Sequence, residues 1–247
     1  MDRKQYLRHF ELEETHWWFA GRRRILFDIL GGLGLSAEES RILDAGCGTG
    51  FNLQAFRVFG TTVGCDIAPE AVDFSRKRGP VRLVRAGVEN LPFRDASFDL
   101  VTLLDVLYHR RVGSDIRVFR EARRVLKQGG FLLITDSAFN LLRSGHDIAF
   151  HARERYTLRV LKARAEQAGF ATLRGSYFNF LLFPLVVAAR IAGKLKRSAQ
   201  ASPDSSLKAV PARINAFLRL LLAAEAFILK FVRLPWGSSV VLLCRKP

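Results

Sequence analysis

The run at residues 41–50, Arg-Ile-Leu-Asp-Ala-Gly-Cys-Gly-Thr-Gly, constrains the fold of this chain more than any other feature. It predicts a short apolar strand that ends in a glycine-rich turn, with a helix after the turn. Glycine has no Cβ atom to keep a ligand away from the backbone. We therefore expect the N–H groups of the turn and of the helix N-terminus to face a polar ligand, at the end of the first strand of an α/β domain.

The spacing of the glycines and a second acidic residue narrow the class of ligand. Gly46, Gly48 and Gly50 form the pattern Gly-x-Gly-x-Gly, whereas a dinucleotide-binding turn usually has Gly-x-Gly-x-x-Gly. A second predicted strand ends at Asp66, roughly 20 residues after the turn. A carboxylate at that place can accept hydrogen bonds from a ribose diol, so the pattern favours a ligand that contains a ribose.

These residues and three later motifs resemble the class I S-adenosylmethionine-dependent methyltransferases, in particular the methyltransferase type 11 family. The motifs are Glu-Asn-Leu-Pro-Phe at 89–93, Ser-Phe-Asp-Leu-Val at 97–101 and Arg-Val-Leu-Lys-Gln-Gly-Gly at 124–130. His-Trp-Trp-Phe at 16–19, with segments 146–151 and 155–157, is similar to a bacterial subgroup of that family. The resemblance implies a Rossmann-like sheet of seven mostly parallel strands, S-adenosyl-L-methionine as cofactor and methyl transfer as the reaction. It leaves the acceptor open.

The residues that the resemblance assigns to the cofactor follow the predicted strands. They are Asp44, Gly46, Cys47, Gly48, Gly50, Asp66, Ile67, Gly87, Val88 and Asp105. Asp44 is expected either to steer the methionine end of the cofactor or to cap the turn, and Cys47 to fill the turn as a small residue. Many relatives have an acid where this chain has Gly87, so we expect the backbone of Gly87 and Val88 to hold the adenine.

Three residues are candidates for catalysis at the acceptor. Tyr108 and His109 follow the fourth predicted strand, where ligands of open α/β sheets bind, and His146 lies in a later loop. Histidine is the natural general base near neutral pH, but His109 equally fits a cap of the following helix. His146 beside Asp147 fits an acid–base pair or a hydrogen bond that anchors the loop. His146 and His151 are five residues apart with no cysteine near, so no metal site is expected.

Alternating strand-like and helix-like segments divide the chain into four parts. Residues 1–40 are a helical lead-in, 41–177 the Rossmann-like core, 178–236 an apolar helical insert, and 237–247 the final strand of the core. The predicted strands are 41–45, 62–66, 81–85, 98–104, 131–135, 171–177 and 239–244. The predicted helices are 52–59, 69–78, 115–126 and 157–168, with two more in the insert at 180–196 and 213–233 around a polar linker at 198–206.

The lead-in contains an aromatic cluster, His16-Trp17-Trp18-Phe19, and three arginines, Arg22-Arg23-Arg24. The cluster fits a flap that closes over cofactor and acceptor, or a contact that holds the N-terminal helix against the domain. The arginines fit a clamp for a carboxylate or phosphate, or a solvated helix face.

The insert also allows two interpretations. Its two apolar stretches contain Pro184, Arg190, Arg219, Glu225 and Lys230, so neither is expected to span a membrane. They fit a lid packed on the sheet, which suits a lipophilic acceptor, or an amphipathic surface in peripheral contact with an anionic membrane.

Composition bounds the partners and the location. The chain has 39 Lys and Arg against 23 Asp and Glu, a net charge of +16, which fits an anionic partner or a merely solvated basic surface. No basic segment interleaved with aromatic residues points to nucleic acid. Three separated cysteines and an N-terminus without an apolar signal segment favour a cytoplasmic location, with the inner face of a membrane as the alternative.

The function that the resemblance implies is methyl transfer to a small, lipophilic acceptor. Three alternatives remain: an RNA methyltransferase, a non-catalytic protein of the same fold that binds the cofactor, and a nicotinamide-dependent oxidoreductase. Binding of S-adenosylmethionine, of its demethylated product and of NAD would separate the last of these from the others.

Overall fold

The computed structural model describes residues 3–143, 147–148, 150–195 and 209–247, with side chains except at 192–195. The helices are α1 (Arg3–Leu12), α2 (Trp17–Leu30), α3 (Phe51–Ala55), α4 (Pro69–Lys77), α5 (Asp115–Val125), α6 (Leu158–Gln167), α7 (Phe183–Leu195) and α8 (Ala212–Phe231). The strands are β1 (Arg41–Ala45), β2 (Thr61–Asp66), β3 (Arg82–Arg85), β4 (Phe98–Leu104), β5 (Leu126–Ser137), β6 (Ala171–Phe178) and β7 (Ser239–Arg245). Short 3₁₀ helices lie at Phe56–Val58 and Asn140–Leu142.

The seven strands form one sheet in the order β3-β2-β1-β4-β5-β7-β6. Neighbouring strands are parallel except for β7, which is antiparallel to both β5 and β6. This is the predicted Rossmann-like, mostly parallel sheet. The order reverses between β1 and β4, so the carboxyl ends of these strands open on the crevice where such sheets bind ligands.

Helices cover both faces of the sheet. Phe119 of α5 and Leu161 of α6 belong to one buried apolar cluster, whereas Leu26 of α2 and Leu229 of α8 belong to another. Successive residues of β4 alternate between the two clusters, because side chains on a strand point to opposite faces. Helix α2 of the lead-in and helix α8 of the insert therefore cover one face together.

Close contacts hold α2 and α8 in that layer. A Cβ atom at Gly21 would lie 2.3 Å from Leu222 Cδ1, so a glycine at this position allows α2 and α8 to approach. Glu225 of α8 is 1% exposed and accepts hydrogen bonds from the N–H groups of Phe180 and Leu181 at 2.9 and 3.2 Å. These bonds fix the start of the insert to α8.

Two of the differences from the predicted boundaries have a visible cause. β5 begins at Leu126 rather than at 131, because the C-terminal residues supply hydrogen-bond partners: the Gly129 N–H donates to the Lys246 carbonyl, and the Lys246 N–H donates to the Gly130 carbonyl, both at 2.9 Å. The lead-in breaks into α1 and α2, and His16 caps α2 by accepting the N–H of Trp18 at 3.3 Å.

The described part of the insert consists of α7 and α8 with the loops beside them. None of the described helices has the length and apolar character that crossing a membrane requires. The polar linker predicted at 198–206 lies outside the described residues.

Candidate functional site

A first cavity, about 200 Å³ in volume, opens at the carboxyl ends of β1, β2 and β4. Most of the predicted site residues line it: Gly46, Cys47, Gly48, Asp66, Ile67, Gly87, Val88, Asp105, Tyr108 and His109. Asp44 and Gly50 are not part of this lining, and His146 lies outside the described residues. The sequence pattern therefore placed the cavity at the correct edge of the sheet.

Three N–H groups of the glycine turn are occupied by hydrogen bonds to residues of β2. The N–H groups of Gly46 and Cys47 donate to the Cys65 carbonyl at 2.8 and 2.9 Å, and the Gly48 N–H donates to Asp66 Oδ2 at 3.0 Å. The expectation that these three groups face the ligand is wrong, because β2 already satisfies them. A pyrophosphate would have to compete with these bonds, so the turn does not suit a dinucleotide.

A Cβ atom would meet a different environment at each of the three glycines of the turn. Gly46 has φ +82°, and a Cβ atom there would lie 2.5 Å from Val106 Cγ2. At Gly48, with φ +55°, no atom lies within 4 Å of the position that a Cβ would take, so a side chain would enter open space. At Gly50 a Cβ would lie 2.6 Å from Ser75 Oγ, so this glycine serves the contact with α4.

Asp66 ends β2 and lines the first cavity. Its Oδ1 accepts the Ala68 N–H at 2.9 Å, and its Oδ2 accepts the Gly48 N–H at 3.0 Å. Burial raises the pKa of Asp66, while these two N–H groups act to lower it. A carboxylate has about four lone-pair sites, so Asp66 keeps capacity to accept hydrogen bonds from a ligand.

Asp44 is buried below the turn and is 1% exposed. Thr102 Oγ1 donates to its Oδ1 at 2.7 Å, whereas its Oδ2 has no hydrogen-bond partner among the described residues. Burial raises the pKa of Asp44 to about 6, against the lowering effect of the Thr102 hydrogen bond. Asp44 lies outside the cavity lining, and its hydrogen bond comes from β4 rather than from the glycine turn.

Helix α1 supplies a wall of the first cavity that sequence reasoning missed. Tyr6, His9 and Glu13, the last just beyond its end, all line the cavity. Their spacing of three and four residues places them on one helix face. That spacing was the available signal, but nothing in it indicated which part of the sheet the face would cover.

Arg78 holds α1 in place over the glycine turn. Its side chain donates to the carbonyls of Thr49 and Phe10, both at 2.9 Å, and forms an ion pair of 3.0 Å with Glu13. Thr49 Oγ1 also donates to Glu13. Burial raises the pKa of Glu13, but its contacts with His9, Thr49 and Arg78 outweigh that effect and hold the pKa below its usual value. Glu13 is therefore ionised near neutral pH.

The three arginines of α2 have different roles. Arg22 is 7% exposed, lines the first cavity and forms an ion pair with Asp105. Arg23 donates to the carbonyls of Glu13 and Glu14 at 2.6 and 3.2 Å. Only Arg24 occupies a largely solvated position, with its side chain 63% exposed.

A second cavity of about 270 Å³ adjoins the first. Its residues come from the lead-in, the strand ends, the loop around 147–155 and the insert: His9, His16, Trp17, Trp18, Phe19, Asp105, Tyr108, Ser137, Asp147, Phe150, Ala152, Arg155, Asn179, Val186, Arg190, Ser238 and Ser239. The cavities share four lining residues, His9, Phe19, Asp105 and Tyr108. A molecule in one cavity would thus lie next to a molecule in the other.

The charges of the second cavity are unevenly compensated. Arg155 and Asp147 form a buried ion pair at 2.7 Å. Arg190 of α7 forms no ion pair or hydrogen bond with another described residue. Burial lowers the pKa of Arg190 and the nearby Arg155 lowers it further, while the charge of Asp147 acts to raise it. Asn179, 4% exposed, has no partner for its Oδ1 among the described residues.

His9 lies in the wall shared by the cavities. Its Nδ1 is 3.8 Å from Glu13 Oε1, one helical turn away, and its Nε2 is buried without a hydrogen-bond partner among the described residues. Its ring contacts those of Phe19 and Phe150, each at a centroid distance of 5.3 Å. An imidazole that is oriented by a carboxylate and has a free second nitrogen can take up a proton.

Tyr108 and His109 are less suited to that task. His109 lines only the first cavity, and its Nδ1 accepts the N–H of Arg111 at 3.1 Å. Burial, together with the positive charges of His151 and Arg111, lowers the pKa of His109 to about 4. Tyr108 lines both cavities, but burial and the charge of Asp105 raise its pKa well above the usual value, so its hydroxyl stays protonated.

The central part of the chain is similar to known methyltransferases. Residues 43–134 match the family model described as "Methyltransferase domain". "Probable tRNA methyltransferase 9B" of Homo sapiens is 41% identical over 96 residues, which are 38% of this chain and 21% of the human protein. A "Probable S-adenosylmethionine-dependent methyltransferase" of Mycobacterium tuberculosis is 29% identical over 149 residues, which are 58% of this chain and 52% of that protein. The chain thus spans about half or less of the length of these curated relatives.

A solved structure agrees in fold over the whole chain. An SAM-dependent methyltransferase from Thermotoga maritima is 19% identical, with a TM-score of 0.58 and complete coverage of both chains. The fold is that of the class I methyltransferases. Within this fold, residues 43–134 are the part that is similar to the methyltransferase family model. These findings confirm the predicted fold class and support S-adenosylmethionine as the cofactor, whereas the likeness of His16-Trp17-Trp18-Phe19 to a bacterial subgroup stays a prediction.

Proposed function

We propose that this protein transfers the methyl group of S-adenosylmethionine from the first cavity to a small molecule in the second. The shared wall of the two cavities, His9, Phe19, Asp105 and Tyr108, is the observation that carries the proposal. Methyl transfer needs donor and acceptor side by side in a site that excludes water. Two adjoining cavities with a shared wall would hold donor and acceptor side by side.

The residues of the first cavity fit this cofactor. Asp66 offers acceptor sites for a ribose diol, and the backbone at Gly87 and Val88 is available to an adenine ring. Asp105 and Glu13, although paired with Arg22 and Arg78, bring carboxylate oxygens to a cavity where a cofactor with a positive sulfonium and an ammonium group would bind. The turn has few free N–H groups for phosphates, which argues against the nicotinamide alternative.

When bound, S-adenosylmethionine supplies an electrophilic methyl group, so the protein needs chiefly to position the acceptor and exclude water. Phe19 and Tyr108 form apolar and aromatic parts of the shared wall. His9 is placed to remove a proton from an acceptor hydroxyl or amine through Nε2, while Glu13 stabilises the imidazolium that results. His9 thus takes the role that the sequence analysis gave to His109 or His146.

The second cavity indicates what kind of acceptor enters. Trp17, Trp18, Phe150 and Val186 provide apolar walls, which suits a lipophilic body. Arg190 provides a positive charge without a paired acid among the described residues, so the acceptor of this proposal also carries an acidic group.

Replacement of Asp66 by alanine tests the cofactor site. We expect the affinity for S-adenosylmethionine to fall by about 1.5–3 kcal/mol, because a charge-assisted hydrogen bond to the ribose is lost. Titration calorimetry measures the change. Asp73→Ala, on the exposed side of α4, is the matched control and should bind normally. Equal affinity of Asp66→Ala and wild type would contradict the assignment.

Blocking the second cavity tests the function itself. Val186→Trp places a large ring in the cavity, whereas Leu185→Trp, one residue earlier and 68% exposed, leaves it free. With labelled S-adenosylmethionine and a small-molecule cell extract, we expect wild type and Leu185→Trp to label a product and Val186→Trp to lose most of the transfer. Cofactor affinity should stay the same in all three. Equal transfer by both variants would place the acceptor elsewhere.

RNA is the second candidate acceptor. The net charge of +16 and the human relative named as a tRNA methyltransferase favour it. The narrow aromatic second cavity favours a small molecule instead. In the same labelling assay, label that appears in added tRNA and resists Val186→Trp would support RNA. Cofactor binding without transfer to either would support the non-catalytic alternative.

A further inference from the structure

The outward face of α8 carries large apolar side chains that the described chain leaves exposed. Phe217, Leu220, Phe227 and Phe231, which we name the apolar stripe, are 59, 68, 62 and 75% exposed. They are separated by three, seven and four residues, so they share one side of the helix. Ile214 and Ile228, 51 and 39% exposed, widen the stripe.

The opposite face of α8 explains why the stripe points outwards. Leu222, Glu225, Ala226 and Leu229 are buried, and Leu222 lies against Gly21 of α2. No residue of α8 lines either of the two large cavities described above. The expectation of a lid therefore fits α7, which contributes Val186 and Arg190 to the second cavity, and not α8.

The charges around the stripe have one sign. Arg213, Arg219, Lys230 and Arg233 are exposed, whereas the only acid of residues 209–236, Glu225, is buried. Lys230 pairs with Asp28 at 3.1 Å. The three arginines have no acidic partner among the described residues.

The apolar stripe and the arginines beside it together favour one kind of binding partner. A second copy of α8 would bring like charges together, which disfavours pairing of two stripes. The linker at 198–206 consists of Ser, Ala, Gln, Pro and Asp. It contains no large apolar residue that could cover the stripe. An anionic lipid surface satisfies both features, since it accepts apolar side chains below the headgroups and attracts arginine at their level.

We propose that α8 binds in the plane of an anionic membrane, with the apolar stripe inserted and the arginines at the headgroups. Trp236, 48% exposed and stacked on Phe180 at 5.4 Å, lies beside the end of this helix and suits the same interface. The proposal does not depend on which acceptor the second cavity takes. It assigns to α8 the membrane contact that the sequence left open.

Sedimentation with vesicles tests the proposal. We expect wild type to bind mixed phosphatidylcholine–phosphatidylglycerol vesicles and to bind pure phosphatidylcholine far less. Phe227→Ser/Phe231→Ser should lower the apparent affinity at least about tenfold, because two apolar rings are no longer inserted. Val58→Ser, 64% exposed and outside the insert, is the matched control and should bind as wild type. Thermal unfolding confirms that the variants are folded.

A charge series separates binding through α8 from a general effect of the protein's positive charge. Arg213→Gln/Arg219→Gln/Arg233→Gln should weaken vesicle binding, and added salt should remove most of the difference. A control with the same loss of charge elsewhere, Arg76→Gln/Arg82→Gln/Arg94→Gln, should change it much less. Equal loss in both triple variants would show that net charge alone governs binding and would overturn the proposal. So would the absence of vesicle binding, or a stable dimer that Phe227→Ser/Phe231→Ser dissociates.

Discussion

Replacement of Arg22 by methionine is expected to lower the free energy of unfolding by about 1–3 kcal/mol, because it leaves the Asp105 carboxylate, whose side chain is 26% exposed, without its charged partner. Arg22 is 7% exposed and pairs with Asp105, which lines both cavities. Methionine keeps most of the apolar volume, so the loss reports mainly the uncompensated charge. Arg24→Met, two residues along the same helix and 63% exposed, should change stability by less than about 0.5 kcal/mol.

The effect should depend on pH in a defined direction. Burial already raises the pKa of Asp105, and Arg22 acts to lower it. Without Arg22 the pKa in the folded state rises further, so the folded state holds a proton that the unfolded state has released. The stability of the variant should therefore fall as pH rises from about 4, the unfolded pKa, through the raised folded pKa.

Denaturant titration near pH 5 and pH 8 measures this difference, with the larger loss expected at the higher pH. The double variant Arg22→Met/Asp105→Asn removes the orphaned charge and should recover most of the stability. A loss that is equal at both pH values, or that the double variant does not reduce, would mean that Arg22 acts through packing alone.

The sequence predicted the sheet and the edge at which the first cavity lies, because their signals are local. The run at 41–50 joins strand, turn and helix in ten consecutive positions, and Asp66 follows at a separation that the βαβ unit fixes. These elements meet at the point where the strand order reverses, and the structure places Gly46, Gly48 and Asp66 in one cavity.

The direction of the turn's N–H groups was not predictable in the same way. It depends on how closely β2 follows the turn, since the Cys65 carbonyl accepts two of these groups. A pattern of glycines indicates that the backbone can come close to something. It does not say whether that neighbour is a ligand or the next strand.

The sequence suggested Tyr108, the cluster at 16–19 and the insert as parts of an acceptor site, but not the full lining of the second cavity, because that lining is assembled from distant segments. His9, Tyr108, Phe150 and Arg190 come from four parts of the chain and meet only after α1 and α7 pack onto the core. The ion pair of Arg22 and Asp105 likewise joins residues 83 positions apart. No periodicity or motif in one segment records such pairings.

Replacement of His9 by glutamine is expected to reduce turnover by a factor of about 100 or more, since general-base catalysis contributes roughly that much. The acceptor used is the one that the labelling assay identifies, at saturating S-adenosylmethionine. Glutamine keeps a polar side chain of similar length between Phe19 and Phe150 but accepts no proton. Cofactor affinity, measured by calorimetry, should change by less than about threefold, because His9 contributes to orientation and proton uptake rather than to the cofactor's binding energy.

The pH profile distinguishes proton removal from mere positioning. In wild type, the fall of turnover on the acid side reports protonation of the base. In His9→Gln the acid limb should move to the pKa of the acceptor, because turnover then depends on the acceptor ionising without help. His109→Gln is the decisive comparison, because the sequence analysis offered that histidine as a base or, equally, as a helix cap, while the structure gives it a lowered pKa, about 4, and a place only in the first cavity. It should keep near-normal turnover and an unchanged acid limb. If His109→Gln instead moves the limb and His9→Gln leaves it in place, the base belongs to the loop after β4, and α1 serves only to close the cavity.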